Sequence, residues 1–338
     1  MIAPSTVTEA VLTQPLLALL RRFDAFGRID VLAGPEVAPL FKAMSEPDEV
    51  IESDIPTDRI AILRRLALSR SIDAKAYDRA FILQDGRTGA IAPWLARVPD
   101  RIGFGSATFL GLINRPAVNT GGRGMSIAER FVAMAFESGE SLPPGIPTPQ
   151  LTAAPEMTEA LARRLSLDPS RQLVLMCPSS ELGPSSEWPV RHYAELAALI
   201  RLQWPEVIVG LLGRPRDRTV ATQIALLSGE SLQNWCGQLD LGQTLALLNH
   251  AAAVVTSESQ YMHLAAALGR PHVAIYGAGD PRAERINGSR RSVMWLHLEC
   301  SPCFDAHCRY GHMNCVKQQQ PARVFATLRK AMRFSATA

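Results

Sequence analysis

Short runs of apolar residues, bounded by glycine, proline or charge, alternate along this chain with stretches in which apolar residues recur every three or four positions. The runs at 28–34 (RIDVLAG), 49–53 (EVIES), 76–84 (AYDRAFILQ) and 99–105 (PDRIGFG) predict strands in the first half. Those at 172–176, 206–213 (EVIVGLLG), 251–256 (AAAVVT) and 272–277 (HVAIYG) predict strands in the second. Helical spacing falls between them, at 11–20, 35–44, 60–69, 126–138, 157–165, 219–227, 241–250 and 260–268. Pro189 opens a further helix, at a position where its missing N–H costs nothing. Strand and helix in strict alternation predict parallel sheets covered by helices. Ile2 and Ala3 read as the last residues of a strand whose earlier part is missing.

A proline-rich stretch between Glu140 and Glu156 interrupts the alternation and reads as a linker. With 338 residues, the chain suits two α/β domains, at 1–140 and 157–338, joined by residues 141–156. Residues 251–282 form a complete strand–turn–helix–strand unit, with the turn at Ser257-Glu258-Ser259. Free N–H groups and the helix dipole at such a turn favour an anion. The backbone N–H groups of Ser259, Gln260 and Tyr261 are therefore expected to meet phosphate.

Composition changes this picture little. The chain is 47% hydrophobic and 20% charged, as an ordinary globular protein is. No apolar run has the length of a membrane span and no secretory leader opens the chain, so a cytoplasmic protein is expected. The net charge of +3 does not suggest a nucleic-acid partner. Only Lys42, Lys75, Lys317 and Lys330 are lysines, and the arginines that dominate suit bidentate phosphate recognition. Cys300, Cys303, Cys308 and Cys315 follow a C-x2-C-x4-C-x6-C spacing, with His307 and His312 among them. In a reducing compartment this suits structural zinc or iron, or reduced thiols.

The turn unit resembles the signature of the bacterial heptosyltransferases, glycosyltransferase family 9. Thr256, Ser259, Met262, His263, the Ala265–Leu268 run, Pro271, Tyr276 and Gly277 carry the match. Four further places match in order. They are Pro4, Ser5, Val7 and Gln14–Leu16; the strand and turn ending at Gly105; Pro178, Ser180, Glu181, Gly183, Pro184, Trp188 and Pro189; and the cysteine segment with Pro302, Phe304, Gly311 and His312. The resemblance implies the GT-B architecture, two Rossmann-like domains facing a central cleft. It also implies transfer of L-glycero-D-manno-heptose from ADP-heptose, with inversion, to the heptosyl-Kdo–lipid A inner core of lipopolysaccharide. No cofactor is then required for the chemistry, and the enzyme works peripherally at the inner-membrane surface. A protein hydroxyl as acceptor, or a silent nucleotide-sugar-binding relative, are the alternative readings.

Roles follow residue by residue. Glu9 stands where the family has its catalytic aspartate, so it is expected to be the base; a capping carboxylate is the plainer reading. Ser179, Ser180, Glu181, Thr256, Glu258, Ser259, Gln260, Tyr261, Met262 and His263 are expected at the donor, with Gln238 and Trp235 near its nucleoside. A buried, hydrogen-bonded role is the simpler one for His263. Ser186 replaces the family's lysine, so Arg191 or Arg214 would have to supply the positive charge. Gln260 replaces a glycine and thereby gives up easy access to left-handed backbone angles. Arg59, Arg64, Arg65, Arg101 and Arg123 are the candidates for the anionic acceptor.

Overall fold

A computed structural model describes the chain except residues 24–26, 54–61, 74, 85–87, 106–109, 118–124, 138–139, 144, 230, 283–289 and 334–338, and the side chains of 62–65 and 333. It divides into two compact units, Met1–Pro149 and Gln150–Ala338.

Unit 1 runs α1 (Val7–Leu12), α2 (Gln14–Arg22), β1 (Asp30–Ala33), α3 (Ala38–Lys42), β2 (Glu49–Glu52), α4 (Ile62–Asp73), β3 (Arg79–Ile82), α5 (Thr88–Leu95), β4 (Asp100–Gly103), β5 (Arg115–Pro116) and α6 (Ile127–Ala133). Its strands pair in parallel as β1-β2 and β3-β4-β5. Ile2 joins the two groups through parallel bridges to Leu32 and Ile82. Ile2 N–H donates to Phe81 O at 2.7 Å and Ala3 N–H to Leu32 O at 2.9 Å, so the first residues fill the central position of the sheet. Ile2, Leu32, Ile82, Ala90, Val98 and Ile113 are among its core residues.

The single helix expected over 11–20 is two. Pro15 has no N–H to give the preceding turn, and Thr13 sits at the break with its hydroxyl on Glu9 O at 2.9 Å. α5 was not expected, because Pro93 lies inside it. α6 starts on a reciprocal cap, Ser126 with Glu129, as its sequence suggests.

Unit 2 runs α7 (Pro155–Arg164), β6 (Leu173–Cys177), α8 (Val190–Gln203), β7 (Ile208–Leu211), α9 (Arg218–Ser228), β8 (Gln233–Asn234), α10 (Leu241–His250), β9 (Ala253–Ser257), α11 (Gln260–Ala267), β10 (His272–Ile275), β11 (Arg291–Met294), α12 (Asn314–Lys317) and α13 (Pro321–Arg333). The strands form one parallel sheet ordered β11-β10-β9-β6-β7-β8. β6, β9 and β10 are buried at every position, which is why they read as unbroken apolar runs. Helices α8 and α13 supply Tyr193, Leu196, Ile200, Val324 and Leu328 to the core on the sheet. Among the described residues no helix is long and apolar enough to cross a membrane.

Candidate functional site

In unit 2 the strand order reverses between β6 and β9, with β7 following on one side and β10 on the other. In open parallel sheets the crevice at the carboxyl ends of such strands is where ligands bind. Four loops meet there: 178–189 after β6, 212–217 after β7, 258–259 after β9 and 276–282 after β10. Hydrogen bonds tie the loops to one another and to β6. Glu181 N–H donates to Glu258 O at 2.9 Å, Leu212 N–H to Met176 O at 3.0 Å, and Arg216 Nη2 to Ser180 O at 2.9 Å.

Ser259 caps α11 in an extended conformation, with φ −149° and ψ 168°. Its hydroxyl pairs with Thr256 Oγ1 at 2.9 Å, which in turn donates to Ser257 O at 2.7 Å. The Ser259 side chain makes no cap bond to α11, at a helix start whose first N–H groups have no partner within the helix. Gln260 is already helical and has no positive φ, so the expected backbone penalty for replacing glycine does not arise. Tyr261 and Met262 are buried, and the Met262 thioether accepts from the Tyr276 hydroxyl at 3.4 Å.

Glu258 staples the site. Its buried carboxylate accepts the Gly277 N–H at 2.5 Å and lies against Gly279, where a Cβ would overlap Glu258 Oε2. Glycine at 279 makes room for the longer acid. Gly279→Ala is therefore expected to cost about 1–3 kcal/mol by overpacking. In a Glu258→Asp background the same change should cost less than the sum of the single variants, because the shortened acid withdraws from the clash. Urea denaturation of the four proteins measures this, and strict additivity would remove Glu258 as the cause.

Three of the expected donor contacts have partners within the chain. Ser186, at the lysine position, is fully buried and its Oγ accepts the Ala278 N–H at 3.2 Å, which joins two loops. Gln238 is exposed and donates its side-chain amide to Asn234 O at 2.6 Å within its own loop. Trp235, expected near the nucleoside, packs in the core against Gly210, which has no Cβ to obstruct the ring. Arg191 is exposed in the first turn of α8, and Glu181 is exposed beside the Ser257–Gln260 turn.

Other polar atoms at this crevice are buried without a hydrogen-bonding partner among the described residues: Ser179 Oγ and the Nε and Nη2 of Arg214. Ser180, also buried, accepts the Leu182 N–H at its hydroxyl.

His263 and His272 are buried, and burial holds both imidazoles from the usual 6.5 down to about 4. Both are neutral at pH 7, and His272 Nδ1 lies 3.0 Å from Arg270 O. The unfolded chain takes up these protons near pH 6.5 and the folded chain only near 4. Stability from this source is therefore complete above pH 6.5 and falls between 6.5 and 4, by up to about 3 kcal/mol per histidine. His272→Gln should flatten the fall in urea midpoint between pH 7 and pH 4.5, and an unchanged slope would contradict it.

The cysteine segment lies over the same loops. Cys303 and Phe304 N–H both donate to Ala278 O at 2.9 Å, and Ser185 N–H donates to Ala306 O at 3.1 Å. The Ser185 hydroxyl adds a bond to Asp305 O. Among the described residues no group of three His, Cys, Asp or Glu side chains is arranged to hold a metal ion. Cys315 is buried inside α12 with its thiol 3.9 Å from Ser185 O, whereas Cys308 is half-exposed in its loop. Backbone N–H groups led by Met313 lower the Cys308 thiol below its usual value.

In unit 1, Glu9 is the third residue of α1. Its N–H donates to the hydroxyl of the N-cap Thr6 at 3.3 Å, and that hydroxyl donates to Glu9 Oε2 at 2.7 Å. The carboxylate thus has a fixed position at the amino end of a helix that follows the central strand position. Arg101 is not free for an acceptor. Its guanidinium donates to Leu112 O at 2.8 Å, Val98 O at 2.6 Å, Gly111 O at 3.3 Å and Pro99 O at 3.4 Å, bracing a loop. Arg59 and Arg123 lie outside the described residues, as do the side chains of Arg64 and Arg65.

A family model described as glycosyltransferase family 9 (heptosyltransferase) matches residues 65–314. The lipopolysaccharide heptosyltransferase 2 of Salmonella typhimurium is 32% identical over 289 residues, 83% of this chain and 82% of that protein. The solved ADP-heptose lipopolysaccharide heptosyltransferase II of Escherichia coli matches with a TM-score of 0.84 at 28% identity, over 99% of this chain and 98% of that one. A glycosyltransferase family 9 structure from Veillonella parvula matches in fold, with a TM-score of 0.81 at 17% identity, over 98% and 96%. The α/β fold with parallel sheets is the GT-B fold of these structures.

Proposed function

The chain belongs to glycosyltransferase family 9, the heptosyltransferases, and from that premise we propose that it moves L-glycero-D-manno-heptose from ADP-heptose to the inner core of lipopolysaccharide. Unit 2 binds the donor and unit 1 the heptosyl-Kdo–lipid A acceptor. The observation that carries the reading is the meeting of the family's motif loops at the strand reversal, over an α11 amino end with no side-chain cap.

The acceptor hydroxyl oxygen attacks the anomeric carbon on the face opposite the diphosphate. The carbon–oxygen bond to phosphate breaks, ADP leaves with the electron pair, and the configuration inverts. Glu9 takes the hydroxyl proton. The N–H groups of Ser259, Gln260 and Tyr261 meet the leaving charge, which a helix amino end favours without reorganisation. No step is assigned to a metal. Because the acceptor is anchored in lipid, the enzyme works in the cytoplasm at the face of the inner membrane, with Arg59, Arg64, Arg65 and Arg123 as candidates for the acceptor's anionic groups.

ADP release from ADP-heptose, measured with and without heptosyl-Kdo–lipid A, tests this. Acceptor-dependent release is expected. Binding of ADP-heptose without release on this acceptor would redirect the search to another hydroxyl, such as one on a protein, or to a silent binder. Failure to bind the donor at all would end the assignment.

A further inference from the structure

The lysine that the family resemblance places at the donor's diphosphate is absent, and a serine stands in its place. Ser186 there is fully buried, its Oγ holds the Ala278 N–H, and its Cα stands 3.2 Å from where a Cβ on Gly277 would lie. A leaving diphosphate still needs positive charge.

The loop after β7 contains a cation of unusual surroundings. Arg214 follows Gly213 at the carboxyl end of β7, and its N–H donates to Asp217 Oδ2 at 2.7 Å. Its Nε and Nη2 are buried with no hydrogen-bonding partner among the described residues. A buried donor left unpaired is costly, and more so when it is charged, so a folded chain keeps such an arrangement where something else completes it. One strand over, Ser179 Oγ is also unpaired, and this side chain is 3% exposed. The two loops are bonded to each other through Arg216 Nη2 on Ser180 O, and Leu212 N–H bonds Met176 O in β6. The charge of Arg214 acts on the phenol of Tyr261, in the first turn of α11, which places the guanidinium within electrostatic reach of the uncapped helix end. Arginine, with a planar fork of donors, suits the oxygens of a diphosphate better than a point charge does.

We propose that Arg214 and the Ser179 hydroxyl bind the donor's diphosphate, so that the cation of this site has moved from the loop after β6 to the loop after β7. The inference rests on the reading of unit 2 as an ADP-heptose site. It assigns the contact to the two phosphates and not to the nucleoside, and this separates it from a merely structural role.

Calorimetric titration of the full chain with ADP, adenosine and inorganic pyrophosphate tests it, on the wild type and on Arg214→Gln, Arg214→Lys and Ser179→Ala. Arg214→Gln is expected to weaken ADP about tenfold to a hundredfold, the scale of a charge-assisted hydrogen bond. Adenosine affinity should stay within about twofold, and pyrophosphate should lose binding in parallel with ADP. Arg214→Lys should fall between wild type and Arg214→Gln, and Ser179→Ala should lose a few-fold. A thermal midpoint for each variant separates these effects from misfolding, and the milder Lys and Ala variants keep the comparison available if Arg214→Gln unfolds. Equal ADP affinity in a folded Arg214→Gln, or equal losses for adenosine and ADP, would overturn the proposal while leaving the donor site in place. A wild type that binds none of the three ligands would overturn the donor reading itself and this inference with it.

Discussion

Glu9→Gln is expected to lower turnover by about a hundredfold to ten-thousandfold, the usual contribution of a positioned general base, while ADP-heptose affinity stays unchanged. Glutamine is the informative substitution. Its side-chain oxygen can still accept from the Thr6 hydroxyl that now holds Glu9 Oε2 at 2.7 Å, and Glu9 N–H keeps its own bond to Thr6 Oγ1. The cap and the start of α1 therefore survive, and only the capacity to take a proton is lost. Glu9→Ala should show the same loss of turnover and a small loss of stability, below about 1 kcal/mol, from the weakened helix start. Thr6→Val leaves the carboxylate but frees its rotamer, and a displacement of about 1 Å at a reacting group can cost up to a hundredfold. Single-turnover rates of the three variants, with donor affinity measured separately, decide the matter. Glu9→Gln turning over at the wild-type rate would reduce Glu9 to a capping residue.

Much of the fold is legible because burial on both faces of a parallel sheet forces a continuous apolar run, and the interrupting glycines and prolines mark where strands end. α10 begins and ends where its sequence says, since Asp240 and Gln243 form a reciprocal cap and the apolar spacing stops at His250. The edge strand β11 is invisible for the opposite reason: Arg291–Met294 is nowhere fully buried and carries no run. α13 is legible in principle, since Val324, Phe325, Leu328 and Ala331 fall at helical spacing and are buried. At the site, the sequence places the residues but does not give their partners. Thr256, Ser259 and Met262 are at the expected turn, but their side chains hold the turn's shape through bonds to one another and to Tyr276. Ser186 and Arg101 show the limit most clearly, because nothing in the sequence says that the hydroxyl bonds a backbone N–H far along the chain or that the guanidinium bonds carbonyls of its own neighbouring loops. The cysteine spacing suggests ligands, but it does not show that this segment is bonded through its main chain to Ala278 or that Cys315 is buried in α12.

Trp188→Ala is expected to be among the most destabilising single changes in unit 2, at about 3–5 kcal/mol. The indole is 2% exposed and sits edge-on to Tyr193, with ring centroids 4.8 Å apart. Its Nε1–H donates to Gln319 O at 2.8 Å, and its backbone N–H donates to Ser257 Oγ at 3.3 Å. The Tyr193 hydroxyl reaches the same Ser257 Oγ at 3.0 Å and Cys177 O at 3.2 Å. The indole thus packs on Tyr193, which is bonded to the end of β9, and anchors the Gln319 carbonyl, while Gln319 continues the chain of contacts by donating to Tyr276 O and Cys315 O, both at 2.7 Å. Removal of the ring opens a cavity under the crevice and leaves the Gln319 carbonyl buried without its donor. Trp188→Phe separates the two effects. It keeps most of the packing and loses the indole N–H, so it should cost about 1–3 kcal/mol, the penalty of an unsatisfied buried acceptor. Because the chain has two units, a single denaturation midpoint need not report on unit 2 alone. Native-state hydrogen exchange of the β6 and β9 amides reads the loss where it occurs. A fall in protection below about 1 kcal/mol in Trp188→Ala would mean that the loops are held by the Glu258 and Ser186 bonds, with the indole only filling space between them.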